Sequence, residues 1–375
     1  MNIKKNKPNI DNLTLTNTGD QSSSSPNASP RLRLFGPTPE FIHSKRLFGS
    51  EYHQSDYELV KNLGTINGGF CSYERSKSLN LMIFKKVYEI SQDPSQRYSM
   101  LKDLQVFYDF NSEYIVGFFN VSNYEDQIIL LYEYLDIGSC EDVLYQKAGR
   151  FPEKVTLYIL GSLAKGLLYL KEQHDLFHNN LKPSNILFSS KGEIRLTDMR
   201  TGNSLVEFLS SRVISKKIYQ SPSRLMGEHP TITSDVWSLG IILVEMHTGS
   251  YPYPITLNVE DYLVAFSPDP QINREDQEMA YKAGKLLPPI DPSKLNKERT
   301  LFSLIDDIIN GMLPQIPSDC ISDFLNDVIS KCLERNKLIR IDLEEISSLL
   351  SEQNDQCNLE KLRGGFINYL VNIIK

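Results

Sequence analysis

No stretch of this chain reaches the roughly 20 consecutive apolar residues that a membrane helix needs, so a membrane-spanning role is not expected. Basic charge is not in excess. The 40 Lys and Arg stand against 47 Asp and Glu, a net charge of −7, which argues against a general nucleic-acid binder. Cysteine is scarce and scattered. Cys71, Cys140, Cys320, Cys332 and Cys357 are odd in number and lack CxxC spacing, so they read as reduced thiols of a cytoplasmic or nuclear protein. The N-terminus is rich in Lys and Asn without an apolar segment, and no secretory signal is expected. His174 and His178 lie four apart, but the H-E-x-x-H signature of a helical metal pair is absent. What remains is a chain with 40% hydrophobic and 23% charged residues, ordinary for a globular protein. Its 375 residues are enough for two lobes with their own cores.

The first 50 residues are expected to be disordered. Gln21 to Pro30 is mostly Ser, Asn, Ala and Pro, too poor in apolar surface to fold. From Tyr57 the pattern becomes ordered. Tyr57 to Gly64 and Leu81 to Val87 read as strands, and so do Asn111 to Phe118 and Ile128 to Tyr134. Pro152 to Gln173 has apolar residues at helical spacing, with Pro152 and Glu153 fitting a helix start. Ser234 to Gly249 has a polar start, a nearly all-apolar body and a closing Gly, which suits a buried central helix. Residues 251–300 are Pro-rich and polar and read as an insertion. Leu359 to Lys375 again has helical spacing.

The chemistry concentrates between Leu176 and Arg200. Lys182, Asn185 and Asp198 fall within 17 residues. A cation, an amide oxygen and a carboxylate at such spacing can hold a nucleotide's terminal phosphate and its magnesium. The pattern H-x-x-L-x-x-x-N starting at His178, followed 13 residues later by Asp198, resembles the catalytic and magnesium loops of protein kinases. One member is replaced. Where kinases carry the Asp that accepts the substrate hydroxyl's proton, this chain has Asn180, and an amide is no general base near neutral pH.

That resemblance implies an α+β, bilobal protein kinase fold spanning 57–350, with a small β-rich N-lobe (57–135), a larger helical C-lobe (136–350), and ATP with Mg2+ as cofactors. Gly64 to Gly69 takes the place of the phosphate-covering glycine loop, with Ile66 at the middle glycine; the same residues also suit a plain hairpin turn. Strand alternation puts Met82, Phe84 and Lys86 on one side and Lys85 on the other, so Lys86 is the expected phosphate lysine and Phe84 the roof over adenine, facing Cys71. Asp103 stands where a helix Glu pairs with that lysine, or is a surface Asp. Tyr132 would back the nucleotide pocket, and Glu133 and Tyr134 would begin the hinge. Metal ligation would fall to Asn185 and Asp198. Met199-Arg200 replaces Phe-Gly, removing a freely rotating glycine and bringing a guanidinium near the metal. Ser223 replaces the Glu that would anchor Arg340, and Asp235 would hold the catalytic loop's backbone.

Longer phrases are similar to MAP kinase kinases: Asn111-Ser-Glu-Tyr-Ile-Val-Gly-Phe, Lys147-Ala-Gly-Arg-Phe-Pro-Glu, Lys182-Pro-Ser-Asn-Ile-Leu and Ser234-Asp-Val-Trp-Ser with Leu243-Val-Glu-Met. In the tail, Lys4, Lys5 and Lys7 precede Leu13 and Leu15. This basic cluster with L-x-L resembles the peptide with which that family docks a MAP kinase, lysines meeting an acidic patch and leucines filling apolar pockets; it also reads as a solvated basic start beside a chance L-x-L. The resemblance implies a MAP kinase partner at residues 4–15. It also implies an upstream MAP kinase kinase kinase or scaffold docking at the C-terminal segment 351–375, which equally reads as a helix capping the lobe. No nucleic acid or membrane partner is expected. Because the departures gather at catalytic and nucleotide positions, the expected role is that of a pseudokinase adaptor or allosteric partner. A weakly active dual-specificity kinase is the alternative.

Overall fold

The structure, a computed structural model, describes residues 52–66, 69–89, 104, 107, 109–124, 127–199, 218–253, 301–314, 316, 321–353 and 357–374. Asp103, Arg200, the docking-like residues Lys4, Lys5, Lys7, Leu13 and Leu15, and most of the 251–300 insertion lie outside them.

The N-lobe is a five-stranded antiparallel sheet in the order β1-β2-β3-β5-β4. Its strands are β1 (Tyr57–Ile66), β2 (Gly69–Ser76), β3 (Met82–Glu89), β4 (Phe118–Tyr124) and β5 (Gln127–Glu133). The β-branched and aromatic content of these segments favours a pleated, half-buried surface. Alternation divides the sheet into two apolar layers. Tyr88, Phe118, Ile128 and Leu130 pack with Leu104 on one face. Tyr52, Ile83, Phe119, Ile129 and Leu131 pack on the other.

One expected strand is corrected. Residues 111–117 form no sheet strand, and β4 begins only at Phe118. The backbone there is held by the C-lobe instead. Val116 N–H donates to Leu196 O at 2.9 Å, and Leu196 N–H donates to Tyr114 O at 2.8 Å. The segment is therefore a strap between lobes, since its hydrogen-bonding groups are already taken.

The C-lobe opens with a small sheet, β6 (Gly138–Ser139), β7 (Ile186–Phe188) and β8 (Ile194–Leu196), and among the described residues carries α1 (Cys140–Val143), α2 (Glu153–His174), α3 (Pro222–Leu225), α4 (Ile232–Thr248), α5 (Leu301–Asn310), α6 (Asp323–Cys332), α7 (Leu343–Glu352) and α8 (Leu359–Ile374). Helix α4 is the centre. Its apolar body from Val236 to Met246 is buried all round, as a helix that is hydrophobic on every side must be. A Thr231–Ser234 capping box starts it, and Gly249, with φ +75°, ends it in the left-handed conformation that costs glycine little. Helix α8 lies against α2. A Cβ on Gly161 would stand 2.6 Å from Leu359, so the missing side chain is what lets the two approach. The Phe366 ring, fully buried, contacts Tyr158 and Phe188 at 5.2 Å each. The C-terminal helix thus covers the lobe with its Leu362, Phe366 and Leu370 face. Val371 and Ile374 stay exposed. No helix among the described residues is long and apolar enough to cross a membrane.

Candidate functional site

The site is built where β3 meets the loops around β7 and β8. On β3, Lys86 and Phe84 face the cleft while Lys85 turns to the outer face, where it pairs with the buried Glu74. Lys86 is buried, and its Nζ reaches Asp198 Oδ1 at 3.0 Å across 112 positions of sequence. Its ammonium also lies 5.1 Å from the centre of the Tyr88 ring. Burial opposes the charge on Lys86. The Asp198 carboxylate, with Tyr88, Cys71 and Tyr132, overcomes that penalty and holds the lysine's pKa well above its ordinary value. Gly69 stands directly over this lysine, since a Cβ there would come within 3.0 Å of Lys86 Cγ. Gly64, with φ +74°, lies within β1 at a register shift, and β2 begins at Gly69. The pairing of β1 with β2 runs from Tyr57–Ser76 to Ile66–Gly69, with Gly64 opposite Cys71.

Asp198 itself sits at φ +59°, a conformation that a non-glycine residue adopts at a cost, Asp and Asn least. Asn180 meets it. The Asn180 amide nitrogen donates to Asp198 O at 2.9 Å and approaches Asp198 Oδ2 at 3.4 Å. The opposite amide orientation would aim an oxygen at two pure acceptors, so the nitrogen must face Asp198. Both carboxylate oxygens of the expected metal ligand thus face donors from this chain, an ammonium and an amide. Asn185 is buried, and its amide nitrogen donates to Asn180 O at 2.7 Å.

The catalytic-loop backbone hangs from α4. His178 and Asn179 N–H donate to Asp235 Oδ2 and Oδ1 at 2.7 and 2.8 Å. Burial pushes the Asp235 carboxyl up to about 7, although those two donors pull the other way. Lys182 lies near Glu141, whose carboxyl is raised by burial and lowered by that lysine.

Aromatic rings line the cleft beyond Lys86. The Phe84 ring lies 6.0 Å from that of Tyr73 and 6.1 Å from that of Tyr132, and Tyr73 meets Tyr134 edge-on at 4.8 Å. The Glu133 side chain turns away from the cleft, accepting from Gly117 N–H at 3.0 Å and lying 3.4 Å from Arg195 Nε. Cys71, paired in register with Lys86, is buried and its thiol is pushed up to about 11 by that burial. The contributions of Tyr73 and Tyr88 went unforeseen, although each stands two residues from an expected cleft residue on the same strand, Cys71 and Lys86. Arg340 is not left bare by Ser223. Its guanidinium donates to the carbonyls of Thr233, Glu334 and Arg335 at 2.6, 2.6 and 3.1 Å and lies over the Trp237 ring.

Residues 57–349 match the family model of the protein kinase domain. The chain belongs to the protein kinase family. The two lobes, the β3 lysine and the loop held by Asp235 are therefore parts of a kinase domain. Kinase domains as a family bind ATP with Mg2+. Asn185 and Asp198 are oxygen donors of the kind that magnesium prefers, and Lys86 is a suitable phosphate cation. In this structure Asp198 faces Lys86 and Asn180, and the Phe84 and Tyr73 rings line the cleft beyond Lys86.

Proposed function

We propose that the chain is a MAP kinase kinase-like pseudokinase, an adaptor or allosteric partner that binds members of a MAP kinase cascade without phosphorylating them. The observation that carries this reading is the pairing of Asn180 with Asp198 at 2.9 and 3.4 Å. The position that needs a base supplies a donor, and that donor faces the carboxylate that would hold the metal. Losing a general base alone costs about 10²–10⁴ in rate. Lys4, Lys5, Lys7, Leu13 and Leu15 would hold the MAP kinase. The exposed edge of α8 at Val371 and Ile374 would be open to an upstream kinase or scaffold.

The test is thermal unfolding of the full chain with and without millimolar Mg-ATP, beside phosphotransfer to a MAP kinase. A ligand that binds only the folded state raises stability by RT ln(1 + [L]/Kd), about 2.7 kcal/mol at a hundredfold excess. The expected result is no metal-dependent rise and no transfer. A rise lost in Lys86→Ala, together with transfer, would establish a weakly active dual-specificity kinase instead. Deleting residues 1–16 is expected to abolish MAP kinase binding; retained binding would refute the docking part.

A further inference from the structure

The outer face of the N-lobe sheet, the side away from Lys86, is covered at one end and open at the other. Tyr52 packs into its apolar layer with Ile83, Ile129 and Leu131 and stacks on Tyr57 at 4.9 Å. Its N–H donates to Ser122 Oγ on β4 at 2.9 Å, and its hydroxyl donates to Glu74 on β2 at 3.0 Å. The tail that precedes Tyr52 therefore joins the domain on this face. Strand register runs one row of residues across the sheet, from Ser122 through Ile129 and Val87 to Phe70. Burial falls along that row. Ile129 is buried, Val87 is half-buried, and Phe70 is 55% exposed. Leu59, paired with Glu74 on the same face, is 56% exposed. Single exposed apolar residues are ordinary, but these two continue a buried layer, which is thus uncovered along its β1–β2 side. Alternation along β3 puts the exposed Glu89 on this face beside Val87.

The tail carries a segment of matching chemistry. Arg-Leu-Phe-Gly occurs twice in it, as Arg33 to Gly36 and as Arg46 to Gly49. Phe48 precedes Tyr52 by four residues, a reach of at most about 14 Å. Three strand spacings of about 4.8 Å separate Ser122 from Phe70, again about 14 Å. The nearer copy can therefore bring its apolar pair to Phe70 while Tyr52 stays in place. Phe35 precedes Tyr52 by 17 residues, and closing that longer loop costs more entropy. We propose that Arg46 to Gly49 docks on the outer N-lobe face of its own chain, with Leu47 and Phe48 covering Phe70 and Val87. Arg46 meets Glu89 at the rim, where an exposed ion pair orients the segment more than it tightens it. That seat anchors on the N-lobe the tail that bears Lys4 to Leu15. The inference does not depend on whether the domain transfers phosphate.

The experiment follows brief tryptic cleavage of the purified full chain by mass spectrometry, comparing the bonds after Arg33 and Arg46. Cleavage after Arg46 is expected to be about tenfold slower or more, because a docked segment must open before it is cut. Phe70→Asp, at an exposed position, should bring the two rates together. Met312→Asp, at an exposed apolar position of the C-lobe, should leave them apart. A synthetic peptide of residues 43–50, added in excess, should speed cleavage after Arg46, and the same peptide with Leu47→Ser and Phe48→Ser should not. Thermal unfolding shows whether each variant is folded; should Phe70→Asp fail to fold, Phe48→Ser in the full chain carries the test and should release Arg46 in the same way. Equal rates at the two arginines in the parent, or slow cleavage after Arg46 that survives these substitutions, overturns the proposal. Protection of Arg46 that fades on dilution would put the tail of a second copy on the face and overturn docking within one chain.

Discussion

Restoring an acid at position 180 should weaken this protein before it restores anything. In Asn180→Asp the amide donor that Asp198 accepts at 2.9 Å is lost, and a second carboxylate arrives near Oδ2, which stands 3.4 Å from the present amide nitrogen. Two unit charges that close, at an effective dielectric of about 20, repel by about 5 kcal/mol, and the lost hydrogen bond adds about 1 kcal/mol. Lys86, 3.0 Å from the other oxygen of Asp198, attracts both charges, so the net cost is expected to be about 2–4 kcal/mol at neutral pH. For a domain of this size that lowers Tm by roughly 5–15 °C. The variant should also respond more strongly to a divalent ion than the parent, because a second carboxylate facing Asp198 adds oxygen ligands where the parent has an amide donor. The assay is thermal unfolding of both proteins in EDTA and in millimolar Mg2+. A variant as stable as the parent in EDTA, or a parent stabilised by Mg2+ as much as the variant, would refute the pairing of Asn180 with Asp198.

Three further outcomes follow from the same geometry. Lys86→Met strips the cation from the largely buried Asp198 and should cost about 2–4 kcal/mol in urea unfolding, the usual consequence of leaving one buried partner behind; an unchanged midpoint would mean that the ion pair is idle. His247 is buried on α4, and that burial lowers its pKa from 6.5 to about 4 despite the pull of Glu153. The unfolded chain therefore takes up a proton that the fold refuses as pH drops. The stability that the neutral ring allows is complete above pH 6.5 and is lost between there and about 4, by up to about 3 kcal/mol. His247→Gln should flatten that part of the stability curve, and an identical acid limb in both proteins would contradict it. Phe366→Ala empties a fully buried site between Tyr158 and Phe188 and should cost about 3–5 kcal/mol, measured by chemical denaturation; a loss under about 1 kcal/mol would show that α8 is only loosely attached.

Much of the architecture was legible in the chain itself, because periodicity decides which face of an element is apolar and such local patterns survive into the fold. The nearly unbroken apolar run from Val236 to Met246 could only be a buried helix, and it is the centre of the C-lobe. Strand alternation put Lys86 rather than Lys85 on the cleft face. The spacing from His178 through Asn185 to Asp198 marked the loop that the family match then placed in a kinase domain, and the loss of an acid at Asn180 was visible without coordinates. Pairings between distant segments were not legible, because they depend on how the lobes bring backbone and side chains together. Residues 111–117 looked like a strand, but the backbones of Tyr114 and Val116 exchange hydrogen bonds with Leu196 in the other lobe. Arg340 lost a carboxylate in sequence and found three carbonyls in space. Sequence alone determined that position 180 carries no base. Only the tertiary structure decided what its amide does instead, because the donor's effect depends on the left-handed turn at Asp198 and on a lysine 112 residues away meeting the same carboxylate.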